Sequence, residues 1–305
     1  MRRIMSALAL VPVLALVLFA ATGAQAEGLK RIADNVYAYE TPKTATPQNS
    51  FAANVGVVVT PEGVIVIDAL ISAREGKRLL ADIRKITSKP VRYVVLTHSH
   101  LDHALGASVF TDTGAVLVGH ELEREYLAKN GEKMLTRAST YGLTKEDMAG
   151  TRIALPALTF TERLTLRLGG ETVELIHQTP SHTQGSTLVL LPRQKVLFTG
   201  DILFTDFHPF LGEGDIPAWT KVLDGMAALG ASTIVPGHGP LSTAKDVEDM
   251  KAYLLLFDAK ARELAAKGAD PAALAAQLKA LLPARSMGEA MVAYNLAVKY
   301  IPAAQ

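Results

Sequence analysis

A chain of 305 residues with 31 lysines and arginines against 30 aspartates and glutamates has a formal charge of +1. That balance makes nucleic acid or an anionic membrane surface a poor expectation for a partner. The absence of cysteine excludes a disulfide scaffold, a lipidated N-terminal cysteine and any thiolate metal site.

Read in chain order, the sequence opens with a basic pair, Arg2 and Arg3, and an apolar run from Met5 to Ala21. Ala24-Gln25-Ala26 follows with the small-x-small pattern of a secretory cleavage site. The run approaches membrane-spanning length, but the cleavage pattern directly after it favours a signal peptide, residues 1–26, over an anchor. The expectation is an exported protein, periplasmic or secreted, with no stable membrane anchor after cleavage. Residues 27–305 are long enough for one large domain with a substantial core.

Val36–Glu40, Asn54–Thr60 and Val64–Asp68 read as strands, the last two separated by the turn Pro61-Glu62-Gly63. Ala73–Thr87 places Leu79, Leu80, Ile83 and Ile86 at helical spacing. Val91–Thr97, apart from Arg92, has the apolar, β-branched make-up of a buried strand, and Ala115–Val118 is another. Glu121–Lys129 reads as helix. Residues 130–160 fit neither pattern and read as a surface excursion or a substrate-binding insert. A second strand-rich half follows: Leu164–Leu168, Thr172–His177, Ser186–Leu191, Lys195–Thr199 and Thr233–Val235, with a helix over Ile216–Leu229. From about residue 244 to 305 the chain is rich in Ala, Leu and Lys. It predicts two or three helices, broken near Gly268–Pro271 and Pro283. The pattern supports a layered α/β domain but not a strand order.

Chemistry concentrates at the strand ends. Thr97-His98-Ser99-His100-Leu101-Asp102-His103 follows a buried strand and packs three imidazoles and a carboxylate into six residues. Imidazole and carboxylate suit zinc, iron or manganese. His182 lies in the turn-rich link Thr179–Ser186, Asp201 follows the strand ending at Thr199, and His238 lies in Pro236-Gly237-His238-Gly239-Pro240. Each stands where a sheet can hold a side chain in place. Together they supply seven ligands, enough for two divalent ions that share a carboxylate.

With these residues the sequence resembles the metallo-β-lactamase superfamily over nearly all of residues 27–305. The resemblance implies a four-layer αββα sandwich, classed as α/β or α+β. It assigns His98, His100 and His182 to one ion, and Asp102, His103 and His238 to the other, with Asp201 bridging. Asp68, at the end of an apolar strand, would act from behind the ligands. A hydroxide between the ions would be the nucleophile, with Asp102 orienting it or relaying its proton and Asp201 tempering the metals. Where the classical β-lactamases of this fold have a cysteine, this chain has Asp201. That makes it more similar to the glyoxalase II, lactonase and phosphodiesterase branches, including exported relatives linked to quinoprotein systems. Ser181-His182-Thr183-Gln184 departs from the Gly-His-Thr-Pro common in the family.

The resulting expectation is a binuclear metal-dependent hydrolase, zinc foremost with iron or manganese as alternatives. Its substrate would be a small ester, thioester, lactone or amide. β-Lactam hydrolysis is the rival within the class, and a mononuclear iron persulfide dioxygenase is the rival outside it. A non-catalytic metal-binding protein would need an incomplete ligand set, and none of the seven is missing. Of the remaining histidines, His120 reads as a helix cap or surface residue and His177 as structural. His208, in Phe207-His208-Pro209-Phe210, reads as a possible substrate contact. Phe204, Phe207, Phe210, Trp219 and Tyr141 are candidates for an apolar pocket or for core, and Tyr294, Asn295 and Tyr300 are equally open.

Overall fold

The computed structural model describes residues 28–39, 44–178, 180–267 and 270–301. The expected signal peptide and Glu40, the expected end of the first strand, lie outside the described residues. Two sheets lie between two sets of helices, the αββα sandwich. The first sheet joins β1 (Leu29–Ala33), β2 (Val36–Tyr39), β3 (Gly56–Thr60), β4 (Gly63–Ile67), β5 (Val91–Val95), β6 (Val116–His120) and β7 (Leu158–Phe160) in sequence order. The second sheet has the order β12-β11-β10-β9-β8. These are β8 (Arg163–Leu168), β9 (Glu171–His177), β10 (Thr187–Leu191), β11 (Val196–Phe198) and β12 (Thr233–Val235).

Period-two alternation decides which core each residue enters. Along β4, Ile65 and Ile67 face the second sheet, whereas Val64 and Val66 face the helices. Along β10, Val189 and Leu191 enter the same inter-sheet core, while Leu188 and Leu190 pack outward. The first sheet is covered by α1 (Ala73–Ile86), the short turns α2 (Leu101–Ala104) and α3 (Ser108–Thr111), and α4 (Glu121–Thr136). The second is covered by α5 (Ile216–Met226), α6 (Ala244–Ala265), α7 (Pro271–Leu281) and α8 (Ala290–Lys299).

The expected elements recur with ends shifted by a residue or two, except that α4 runs on to Thr136 and α5 gives way after Met226 to a 3-10 turn that reaches Leu229. Segment 130–160 is therefore partly helix, and its loop is docked on the domain. Leu143 and Ala138 bury against Ile71, and Thr151 Oγ1 accepts the Ala73 N–H at 2.9 Å. β1 and β7 were not anticipated. β1 is an edge strand whose residues are all partly exposed apart from exposed Arg31, so Leu29–Ala33 shows no alternation.

Strands β4 to β7 run parallel, as do β11 and β12. Their carboxyl ends are the place where open parallel sheets present ligand-binding loops. Asp68 follows β4, the His98–His103 segment follows β5, Asp201 follows β11 and His238 follows β12. His182 lies in the connection between β9 and β10.

Candidate metal centre

The structure brings all seven residues together. His98, His100, His182 and Asp201 form one group and Asp102, His103 and His238 a second, each with its facing N and O atoms within 4.8 Å of one another. Asp201 lies between them and presents a different oxygen to each. Its Oδ2 is 3.7 Å from His98 Nε2 and 3.3 Å from His182 Nε2. Its Oδ1 is 3.1 Å from His103 Nε2 and 3.4 Å from His238 Nε2. Asp102 Oδ2 completes the second group at 3.2 Å from His238 Nε2.

Backbone conformation puts these groups in place. Gly200 has φ +48°, and a Cβ there would stand 2.3 Å from Thr97 Oγ1. A Cβ on Gly237 would come within 1.9 Å of Asp201 Oδ1. Only glycine lets the two turns approach so closely. Asp68 adopts φ 62°, a left-handed conformation that aspartate tolerates better than most residues. Its Oδ1 accepts the Thr97 N–H at 2.8 Å. Its Oδ2 accepts the Thr97 hydroxyl at 2.8 Å and His103 Nδ1 at 2.9 Å.

These bonds fix the imidazole tautomers. The Thr97 hydroxyl donates to Asp68, so its oxygen accepts from His98 Nδ1 at 3.0 Å. His98 Nε2 is then a bare lone pair, buried and, among the described residues, without a hydrogen-bond partner. His103 gives its Nδ1 proton to Asp68, and His238 gives its own to the Phe51 carbonyl at 3.0 Å. Their Nε2 atoms, 3.4 Å apart, are therefore the nitrogens left facing the cluster. His182 Nε2 and His100 Nδ1 approach to 2.9 Å. Imidazole nitrogens and carboxylates converging on common points are a donor set that fits divalent cations.

Electrostatics within the metal-free cluster follow from the same arrangement. Burial drives the His98 imidazole well below its usual range, helped by His103, and takes His182 down to about 3. Burial also opposes charge on His103 and His238, but Asp201 and Asp102 override it. They hold His103 well above the usual range and His238 at about 9. Asp201 is held well below the carboxylate range against its own burial, by His238, His103, His98 and His182. Cations placed among these groups would do the work that imidazole protons do in their absence.

Several positioning groups were not legible in the sequence. Ser50, Phe51 and Ala52 have φ of 58°, 52° and 62°, a strained run that presents the Phe51 carbonyl to His238. Asn54 Nδ2 clamps the His238 turn through the Pro236 and Gly239 carbonyls, at 2.9 and 2.8 Å. Glu123, buried in α4, accepts the Thr183 hydroxyl at 2.6 Å and the Gly185 N–H at 2.9 Å, bracing the loop that carries His182. Glu213 Oε2 stands 3.7 Å from His100 Nε2.

Other candidates are placed differently. His208, read as a possible substrate contact, is only 3% exposed, and its Nδ1 lies 2.6 Å from the Tyr253 hydroxyl of α6. That correction has a simple cause: the chain after Phe207 turns the imidazole into the helical layer. Burial there takes it down to about 4. His120 caps α4 by accepting the Leu122 N–H, and His177 stacks on it with centroids 3.6 Å apart. Phe204, Phe207 and Trp219 are buried behind the ligand imidazoles. Phe204 stacks on His238, and Trp219 meets His182 edge-on. Asn295 is buried too, whereas Tyr141 and Tyr294 are exposed.

The comparisons with known proteins agree with this geometry. Residues 49–238 match the model of the metallo-beta-lactamase superfamily, and the chain belongs to that superfamily of metal-dependent hydrolases, which typically hold two divalent ions. It is 28% identical over 228 residues to a linear primary-alkylsulfatase of Pseudomonas sp., covering 64% of this chain and 43% of the relative. The chain thus spans less than half the length of that relative. It is also 28% identical over 196 residues to a metallo-beta-lactamase type 2 of Elizabethkingia meningoseptica, covering 63% of this chain and 70% of the relative. Among solved structures, a stereoselective inverting sec-alkylsulfatase from Pseudomonas sp. superposes with a TM-score of 0.66 at 18% identity. That match covers 90% of this chain and 50% of the other. A metallo-beta-lactamase from Pontibacter korlensis gives 0.61 at 23% identity, covering 74% and 98%. The two structural likenesses bear on the fold alone.

Proposed function

We propose that this chain is an exported binuclear hydrolase, with zinc the foremost metal, that cleaves a small ester, thioester, lactone or amide. The observation that carries this reading is the position of Asp201, with one carboxylate oxygen toward His98 and His182 and the other toward His103 and His238. His98, His100 and His182 would hold one ion and Asp102, His103 and His238 the other, with Asp201 common to both. Ions so held acidify water and polarise the bond to be cleaved. Asp102 has the most exposed carboxylate of the cluster, 12% by side chain, and is placed to accept a proton from the attacking water and return it to the leaving group. Asp68 keeps His103 oriented and Thr97 keeps His98 oriented. Because two complete ligand groups are present, a mononuclear iron dioxygenase is disfavoured. Asp201, standing where the classical β-lactamases have cysteine, disfavours β-lactam hydrolysis as the main activity.

A second reading, cleavage of a sulfuric ester, is favoured by the similarity to alkylsulfatases in both sequence and fold. Metal analysis by mass spectrometry, with ester, lactone, thioester, nitrocefin and alkyl sulfate hydrolysis on the same sample, tests both. About two divalent ions per chain, and hydrolysis lost in Asp201→Ala, support the binuclear assignment. One iron per chain with oxygen uptake and no hydrolysis would overturn it.

A further inference from the structure

The cluster reaches solvent at Asp102, 12% exposed by side chain, and through an opening at its His100 end. His98, His103, His182 and His238 have side chains at most 4% exposed, whereas His100 is 13% exposed and Glu213 beside it 43%. Three elements that contribute no cluster residue meet at that opening. The loop after Asp201 brings Phe210 and Glu213, α8 brings Tyr294, and α4 with the turn after it brings Tyr126 and Tyr141. The Phe210 ring stands 5.3 Å from His100 and 5.9 Å from His182, and Tyr294 leans on it at 5.6 Å. Tyr126 donates to Glu213 Oε1 at 3.3 Å. Burial, then Tyr141 and Glu213 close by, raise the Tyr294 phenol.

This opening is built and held. Asn295 of α8 accepts the Leu211 N–H at 2.8 Å and donates to the Pro209 carbonyl at 2.7 Å, pinning the loop on both sides of Phe210. Lys299 of α8 donates to the Gly214 carbonyl at 2.5 Å. Among the described residues no lysine or arginine forms an ion pair with Glu213. Glu213 thus has the His100 imidazole and the Tyr126 hydroxyl as its neighbours, beside aromatic faces at the mouth of the site. Aromatic faces and a carboxylate both attract a cation, and the carboxylate repels an anion.

Resting on the hydrolase reading above, we propose that Glu213, Phe210 and Tyr294 form a specificity element for the non-reacting end of the substrate. They favour a flat apolar group carrying positive charge over the same group carrying negative charge.

The test uses the full metal-loaded protein and two matched series with para trimethylammonium, methyl or sulfonate substituents. Benzyl acetates report turnover, and the corresponding benzylacetones, which cannot be hydrolysed, report affinity by calorimetry. The cationic benzylacetone is expected to bind about tenfold tighter than the sulfonate at low salt, with the methyl compound between them. Glu213→Gln should remove most of that difference, and rising salt should narrow it in the unaltered protein. Tyr294→Ala should weaken all three by similar factors. Equal or tighter binding of the sulfonate, a preference unchanged in Glu213→Gln, or no binding of any probe would overturn the proposal. Charge preference in binding without acetate turnover upholds this specificity element and counts against ester hydrolysis. Turnover without charge preference does the reverse.

Discussion

Around His103 and His238 the imidazole nitrogen facing away from the cluster is bonded to a rigid acceptor, the Asp68 carboxylate in one case and the Phe51 carbonyl in the other. Around His98, His100 and His182 only His98 has such a bond, and it runs through the Thr97 hydroxyl. Among the described residues His100 Nε2 and His182 Nδ1 are buried without a hydrogen-bond partner, with Glu213 Oε2 standing 3.7 Å from the former. These two imidazoles are held by ring contacts instead, edge-on to each other at 4.7 Å and against Phe210 and Trp219. A hydrogen bond to the outer nitrogen fixes tautomer and direction and raises ligand basicity, whereas aromatic packing fixes position alone. The two halves of one site thus differ in how far each is organised before a metal arrives. The better organised half is also the one nearer the left-handed segment Ser50–Ala52, where strain is retained to aim a carbonyl.

The strongest test of that contrast removes what the halves share. Asp201→Ala deletes the carboxylate that faces both groups, so metal content should fall from about two ions per chain to below one, read by mass spectrometry after gel filtration. Retention of both ions would mean the halves are independent. Competition with a chelator resolves the halves in the unaltered protein. Metal loss should come in two steps, with the His98/His100/His182 ion leaving first and the His103/His238 ion persisting to higher chelator concentration. A single step would erase the distinction drawn from the outer nitrogens. Asp68→Ala should then weaken the tighter step by about 10–100-fold. The looser step should move less, since His98 reaches Asp68 only through Thr97. The same substitution leaves the buried Thr97 N–H unpaired, so a loss of about 1–3 kcal/mol in chemical denaturation is also expected.

All seven members of the cluster could be read from the sequence because their chemistry resides in residue type, and because each follows an apolar run that ends in a turn. Asp68 was visible for the same reason. What organises the two halves was largely hidden. The partner of His238 is a main-chain carbonyl, and no residue type announces that. The Thr97 hydroxyl looks like any strand-end threonine until Asp68, 29 positions earlier, is seen to hold it. Asn295, ambiguous on the last helix, pins a loop 86 residues away. His208 misled because its neighbours Phe207 and Phe210 suggested a pocket. Only the packing of α6 shows that its imidazole belongs to Tyr253. Strand positions were legible where an apolar run marks burial on both faces, as along β4 and β10. They were not at β1, where an edge strand offers no such run.

Glu123 offers a finer probe of the less organised half. It is 2% exposed and belongs to α4, 60 residues before the loop it supports. Its Oε1 accepts from the hydroxyl of Thr183, one residue beyond His182, and from the Gly185 N–H on the other side of Gln184. In the absence of a bond to His182 Nδ1, the loop backbone sets where that imidazole sits, and Glu123 sets the loop. Glu123→Gln keeps an acceptor oxygen in place and should leave both metal steps nearly unchanged. Glu123→Ala strands two buried donors and should cost about 2–4 kcal/mol in stability. Among chelator steps it should weaken the looser one by roughly tenfold, a smaller change than Asp68→Ala makes to the tighter one. The two variants together separate bracing from charge. If Glu123→Gln were as damaging as Glu123→Ala, the negative charge itself would matter, and the looser half would depend on electrostatics from α4. If neither variant moved the looser step, ring packing by Phe210 and Trp219 would suffice to hold His182.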